Sequence, residues 1–224
     1  MIRAVLFDLA GTLVKIPGSL PDLKEEILIA LMRLGFPLSF FSKEDDLPSM
    51  LEKLEAYVRA SGMSSEDKSK VWEEVQKSIE EFERSILERA VLVPGALEVL
   101  AALRERGLKI GLVSFMSSAV TVNLLRRMGL DRFMDTVVAR DFLSDPRPNS
   151  AHMLKALEDL GVRPEEAVLV SCSASMVRYA KEINMHAIGI TPGCGGELSR
   201  AGVDRLIRSL ADLSAAISEL GGER

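Results

Sequence analysis

Four stretches place polar side chains at the ends of apolar runs or in turns, where a fold could present them in a site. Ala4-Val5-Leu6-Phe7 is an apolar run that stops on Asp8, and Leu9-Ala10-Gly11-Thr12 follows it. A carboxylate delivered by a buried strand to a sheet edge is presented where ligands bind. Gly11 lets the chain turn sharply, and Thr12 adds a hydroxyl. A second apolar run over 108–113 stops on Ser114, and a third over 167–170 stops on Ser171-Cys172-Ser173. Arg147 precedes Pro148 in the turn Asp145-Pro146-Arg147-Pro148. Any one of these alone reads as an ordinary strand-end turn.

The elements that must position these residues alternate. Helices are expected over 96–106, 118–128, 151–160 and 211–220, with one more running to about 184, and strands over 108–113, 136–139, 167–170 and 187–190. A Gly-rich loop is expected over 192–196. Alternating helices and buried strands imply an α/β fold, a Rossmann-like doubly wound parallel sheet, whose ligands bind beyond the carboxyl ends of the strands. Asp8, Ser114, Arg147 and Ser171 to Ser173 then fall on one rim. Between the first strand and Pro94 the pattern differs, with helical spacing over 21–34, 47–60 and 65–87 and no strand of comparable strength. This reads as an inserted helical domain over 16–89, with the α/β core built from 1–15 and 90–224. Phe36, Phe40, Phe41 and Trp72 read as packing rather than as a ligand cage.

Composition narrows the function classes. The chain is 47% hydrophobic and 27% charged, with a formal net charge of -5. That balance argues against nucleic acid, whose phosphates call for a basic face, and against a polybasic membrane anchor. No apolar stretch approaches the ~20 residues of a bilayer span, and the first strand begins at once without a signal peptide, so a cytoplasmic location is expected. Two cysteines, Cys172 and Cys194, do not make a disulfide framework.

The order of elements and their terminal residues resembles the haloacid dehalogenase superfamily over the whole chain, including an all-helical cap inserted after the first strand. The first motif of that family, D-x-D-G-T, reads Asp8-Leu9-Ala10-Gly11-Thr12. Ser114 matches the second, Arg147-Pro148 the third, and Ser171-Cys172-Ser173-Ala174-Ser175-Met176 occupies the frame of the fourth, G-D-S-x-x-D. The resemblance implies that Asp8 is the nucleophile and that Arg147 offsets negative charge. It implies that Thr12, Ser114 and backbone N–H groups near Leu9 to Gly11 hold the substrate's oxygens. It also implies Mg²⁺ held by Asp8, a backbone carbonyl and two further acids.

The departures matter as much. Ala10 stands where most members carry the acid/base Asp, and Cys172 and Met176 replace the two metal-binding acids. A thiol and a thioether are poor ligands for a hard cation. The expectation is therefore a degenerate member, with no cofactor, that has lost Mg²⁺-dependent phosphatase chemistry. It keeps a site for a small anionic molecule at Asp8, Thr12, Ser114 and Arg147. The alternative is a metal-independent hydrolase with Asp8 attacking a phosphorylated, phosphonate or 2-haloacid substrate. Phosphonate-cleaving relatives share D-x-A-G-T and the third-motif Arg, with a cap lysine forming a Schiff base. The apolar segment Phe36 to Phe41 also allows a homodimer contact.

Overall fold

Strand β1 (Ala4–Asp8) is buried along its whole length, which is why its sequence shows no polar alternation before Asp8. In the computed structural model, which describes residues 1–16, 20–41, 45, 47–142, 149–191 and 195–222, it lies in the middle of a six-stranded sheet. The chain continues through β2 (Val14–Lys15), α1 (Leu20–Arg33), α2 (Leu47–Ala60), α3 (Ser65–Arg89), β3 (Val91–Leu92), α4 (Ala96–Glu105) and β4 (Lys109–Val113). It goes on through α5 (Ser118–Arg127), β5 (Thr136–Val138), α6 (Ala151–Leu160), β6 (Ala167–Ser171) and α7 (Ala174–Glu182). The closing elements are β7 (His186–Ile190), α8 (Gly195–Arg200), β8 (Arg205–Ile207) and α9 (Leu213–Gly222).

All six strands run parallel in the order β5-β4-β1-β6-β7-β8. The fold is thus α/β with helices flanking a parallel sheet. β1 lies between β4 and β6, with Asp8 opposite Val113 and Phe7 opposite Val170. The residues that follow β4 and those that end β6 therefore emerge on either side of Asp8. Beneath this rim, Ala4, Leu6, Val113, Val138 and Leu169 pack with Met153, Ala156 and Leu157 of α6 and Met176, Val177 and Ala180 of α7. Gly111 is demanded by close packing: a Cβ there would lie 2.5 Å from Leu6 Cδ2 and 3.2 Å from Leu160 Cδ1.

Contacts divide the chain into two compact units, Met1–Lys15 with Val91–Arg224, and Ile16–Ala90. The antiparallel pair β2–β3 stands where the chain leaves the first unit and returns to it. In the second unit α1 packs on α3, burying Ile27 and Leu31, while α3 buries Val71, Val75, Ile79 and Phe82 at helical spacing. Phe36 and Phe40 gather on Tyr57, with ring centroids 5.0 and 5.5 Å away.

Four elements, β2, β3, β8 and α8, were not expected from the sequence. The two-residue strands β2 and β3 are too short to show a period. β8 has one buried residue of three, so it lacks the apolar run used to find the others. α8 begins inside the stretch expected to be a Gly-rich loop: Gly195 and Gly196 start a helix, which continues to Arg200. Residues 192–194 lie outside the described set.

Glu166, just ahead of β6, accepts the Arg163 backbone N–H and pairs with Arg3 at 3.1 Å. The Arg163 amide first, and Arg3 after it, hold the carboxyl at about 2. A depressed acid stabilises the fold fully above its ordinary value, and this contribution is lost as pH falls through the folded value. Glu166→Gln is expected to lose less melting temperature than the unaltered chain on acidification below about pH 4.5. Identical acid limbs in the two proteins would count against that linkage.

Candidate active site

Asp8 ends β1 with only 9% of its surface exposed. The Ser171 hydroxyl donates to Asp8 Oδ2 at 3.0 Å. Ser171 is itself fully buried, and its Oγ accepts the Ser173 N–H at 2.9 Å. With that lone pair taken by an amide two residues on, the Ser171 proton is directed at the carboxylate. Ser171, placed on the rim by the end of its apolar run, stands where the resembled motif has glycine, so the resemblance implies no particular role for it.

The turn after Asp8 is closed on Leu9, whose carbonyl accepts the N–H groups of Thr12, Leu13 and Val14 at 3.4, 3.1 and 3.0 Å. Gly11 has φ +77, a conformation that favours glycine, and its N–H donates to Val14 O at 2.8 Å. That amide is therefore committed within the turn and does not serve as a donor for an anion. Thr12 is fully buried, and its Oγ1 accepts the Cys172 N–H at 3.2 Å. Cys172 is half-buried, and its Sγ–H donates to Ala10 O at 3.5 Å. A Cβ on Gly11 would lie 2.5 Å from Cys172 Sγ. The first-motif turn and the loop after β6 are thus locked together, thiol against glycine.

Ser114 follows β4 and is 1% exposed. Its N–H donates to Val138 O at 2.9 Å, and its Oγ accepts from Met116 N–H and from the Thr121 hydroxyl, each at 3.2 Å. Arg140, 6% exposed beyond β5, fixes this loop from the side. Its guanidinium donates to Phe115 O at 3.1 Å and its N–H to Met116 O at 3.0 Å. Arg140 was missed because an arginine after a strand reads as a solvated turn residue, and nothing local signals its burial.

Met176 lies 1% exposed within the apolar cluster, in the first turn of α7, whose cap is the Ser173 hydroxyl. Asp141 caps α5 from a distance, accepting the Ser118 N–H at 2.7 Å and its hydroxyl at 2.8 Å. Burial pushes the Asp141 carboxyl up, but the Ser118 hydroxyl and amide outweigh it and hold it below the usual carboxylate range. Arg147 lies outside the described residues, as do Asp145, Pro148 and Cys194. Among the described residues no three His, Cys, Asp or Glu side chains gather as a metal-ion cluster. In the helical unit Lys53 is paired with Asp45 at 2.7 Å and Lys70 with Glu66 at 2.8 Å. No described helix is long and apolar enough to cross a membrane.

Comparison with known proteins bears on the same frame. Residues 2–171 match the family model of haloacid dehalogenase-like hydrolases. The phosphoglycolate phosphatase of Nitrosococcus oceani is 26% identical over 219 residues, covering 96% of each chain. That of Chromobacterium violaceum is 26% identical over 225 residues, covering 95% of each. A hydrolase from Pseudomonas syringae has the same fold, with a TM-score of 0.74 at 23% identity over 97% of this chain and 98% of its own.

Proposed function

The chain belongs to the haloacid dehalogenase-like hydrolase family, and on that premise we propose that it binds a small acidic molecule at the Asp8 rim without Mg²⁺-dependent hydrolysis. The observation that carries this reading is what surrounds the Asp8 carboxylate. A serine hydroxyl is hydrogen-bonded to it, a thiol takes the carbonyl of Ala10, and the position of the second metal-binding acid is a buried methionine. These residues do not fit Mg²⁺, which needs near-octahedral oxygen ligands. Ala10 also stands where most members carry the acid/base Asp, help that is typically worth about 10²–10⁴-fold.

In this reading Ser114 and Arg147 hold the anion, and Asp8 with Ser171 shapes the floor of the site. Thr12 acts by pinning the Cys172 loop. One observation favours a second reading, an active phosphatase: the two relatives named above are phosphoglycolate phosphatases. Asp8 would then be the nucleophile, forming an aspartyl-phosphate that water must open.

The two readings separate in one series. Inorganic phosphate and 2-phosphoglycolate are titrated with and without MgCl₂, and phosphate release from 2-phosphoglycolate is followed in the same buffers. Expected are a rise in melting temperature that saturates and is indifferent to Mg²⁺, its loss in Arg147→Ala, and no turnover. Mg²⁺-stimulated release that disappears in Asp8→Asn would overturn the proposal in favour of the phosphatase.

A further inference from the structure

From the hydrogen-bond pattern at Ser114 we infer that Thr121 is a positioning residue, one that makes Ser114 an obligate hydrogen-bond donor to the bound anion. This rests on the reading above that Ser114 faces the anion.

A serine hydroxyl has one proton and two lone pairs, and an anion can only accept. A hydroxyl that is free to turn presents a lone pair to the anion as readily as its proton. At Ser114 that freedom is removed from two directions. Met116 N–H fills one lone pair at 3.2 Å, and the Thr121 hydroxyl, from the first turns of α5, fills the other at 3.2 Å. The proton that remains has no partner among the described residues. Thr121 is fully buried, and among the described residues its hydroxyl has Ser114 as its partner.

The frame holding these donors is rigid. Thr121 N–H is bonded to Ser117 O at 2.9 Å within α5, and its side chain packs on the buried side of that helix with Val120, Leu124 and Leu125. The Met116 amide is held in place by the bonds from Arg140 to Phe115 O and Met116 O. Ser171 offers an internal comparison across β1. It too accepts the N–H two residues on, and its proton goes to Asp8. The two strands flanking β1 thus end in the same turn, with one proton spent on the carboxylate and the other, by the action of Thr121, kept for the ligand.

The test is a double-mutant cycle read by inorganic phosphate binding. Thr121→Val keeps the shape and removes the hydroxyl. It is expected to weaken phosphate by about three- to tenfold, as for one lost hydrogen bond, while Thr121→Ser stays within about twofold of the unaltered protein. In the Ser114→Ala background Thr121→Val should have no further effect, because the hydroxyl it orients is gone. Thr121→Ala replaces the valine variant if the latter does not fold. Equal weakening in both backgrounds would mark Thr121 as merely structural and overturn the inference. So would an unchanged affinity in Thr121→Val when Ser114→Ala has lost binding. If Ser114→Ala binds phosphate as the unaltered protein does, or the unaltered protein gives no phosphate response, the functional reading itself fails and this inference with it.

Discussion

Met176→Asp, which puts back the acid found at this position in the resembled motif, is expected to lose at least about 4 kcal/mol of stability and to gain no response to Mg²⁺. Met176 is 1% exposed, in a cluster with Leu169, Val177 and Ala180. Truncating a buried methionine costs about 2–5 kcal/mol through lost burial and the void left behind. A carboxylate adds the cost of a buried polar group without a partner, or of protonating it. For a chain of this size the sum corresponds to a fall in melting temperature of roughly 8–16 °C. Met176→Leu conserves volume and should cost less than about 1.5 kcal/mol. Thermal melts of the three proteins with and without MgCl₂ decide the matter. A Met176→Asp protein that melts within two or three degrees of the parent, or that Mg²⁺ stabilises, would show that the position still reaches the rim.

Gly11→Ala is expected to cost about 2–3 kcal/mol and to loosen the proposed anion site with it. Two separate penalties add. An L-residue at φ +77 is strained by about 1–2 kcal/mol. The new Cβ, 2.5 Å from Cys172 Sγ, must also displace the thiol. Moving Cys172 pulls on its N–H bond to Thr12 Oγ1 and on the Ser171–Asp8 pair one residue away, so phosphate affinity should fall together with stability. Cys172→Ala in the Gly11→Ala background removes the obstructing sulfur and leaves the φ strain. The double variant should then be more stable than the sum of the two single losses. Additive losses, measured by urea unfolding of all four proteins, would show that thiol and glycine do not oppose each other as the structure places them.

The architecture was legible because buried parallel strands write themselves as short apolar runs. β1 and β6 end on the polar residues at which their apolar runs stop, Asp8 and Ser171, and β4 is followed at once by Ser114. Helices of the inserted unit showed their spacing through Val71, Val75, Ile79 and Phe82. What carried no period was lost: β2 and β3 at two residues each, and β8 at the sheet edge with a single buried side chain. α8 was hidden for another reason. Two glycines at its start argue locally for a turn, and Leu198, 1% exposed, joins the apolar cluster that packing settles.

By itself, then, the amino-acid sequence determined the order of elements and the polar strand ends at Asp8, Ser114 and Ser171, with Ala10, Cys172 and Met176 standing in the frames of the resembled motifs. Only the tertiary structure decided which hydrogen bonds these groups make. Thr12, a hydroxyl in a motif position, turns inward to hold the Cys172 loop. The Gly11 amide is consumed within its own turn, and Thr121 and Arg140, silent in the sequence, converge on the loop carrying Ser114. The reason is physical. Burial of a strand is a property of its own residues and is written locally. The direction of a hydrogen bond depends on which donors and acceptors distant segments bring within about 3 Å, and no stretch of chain records that alone.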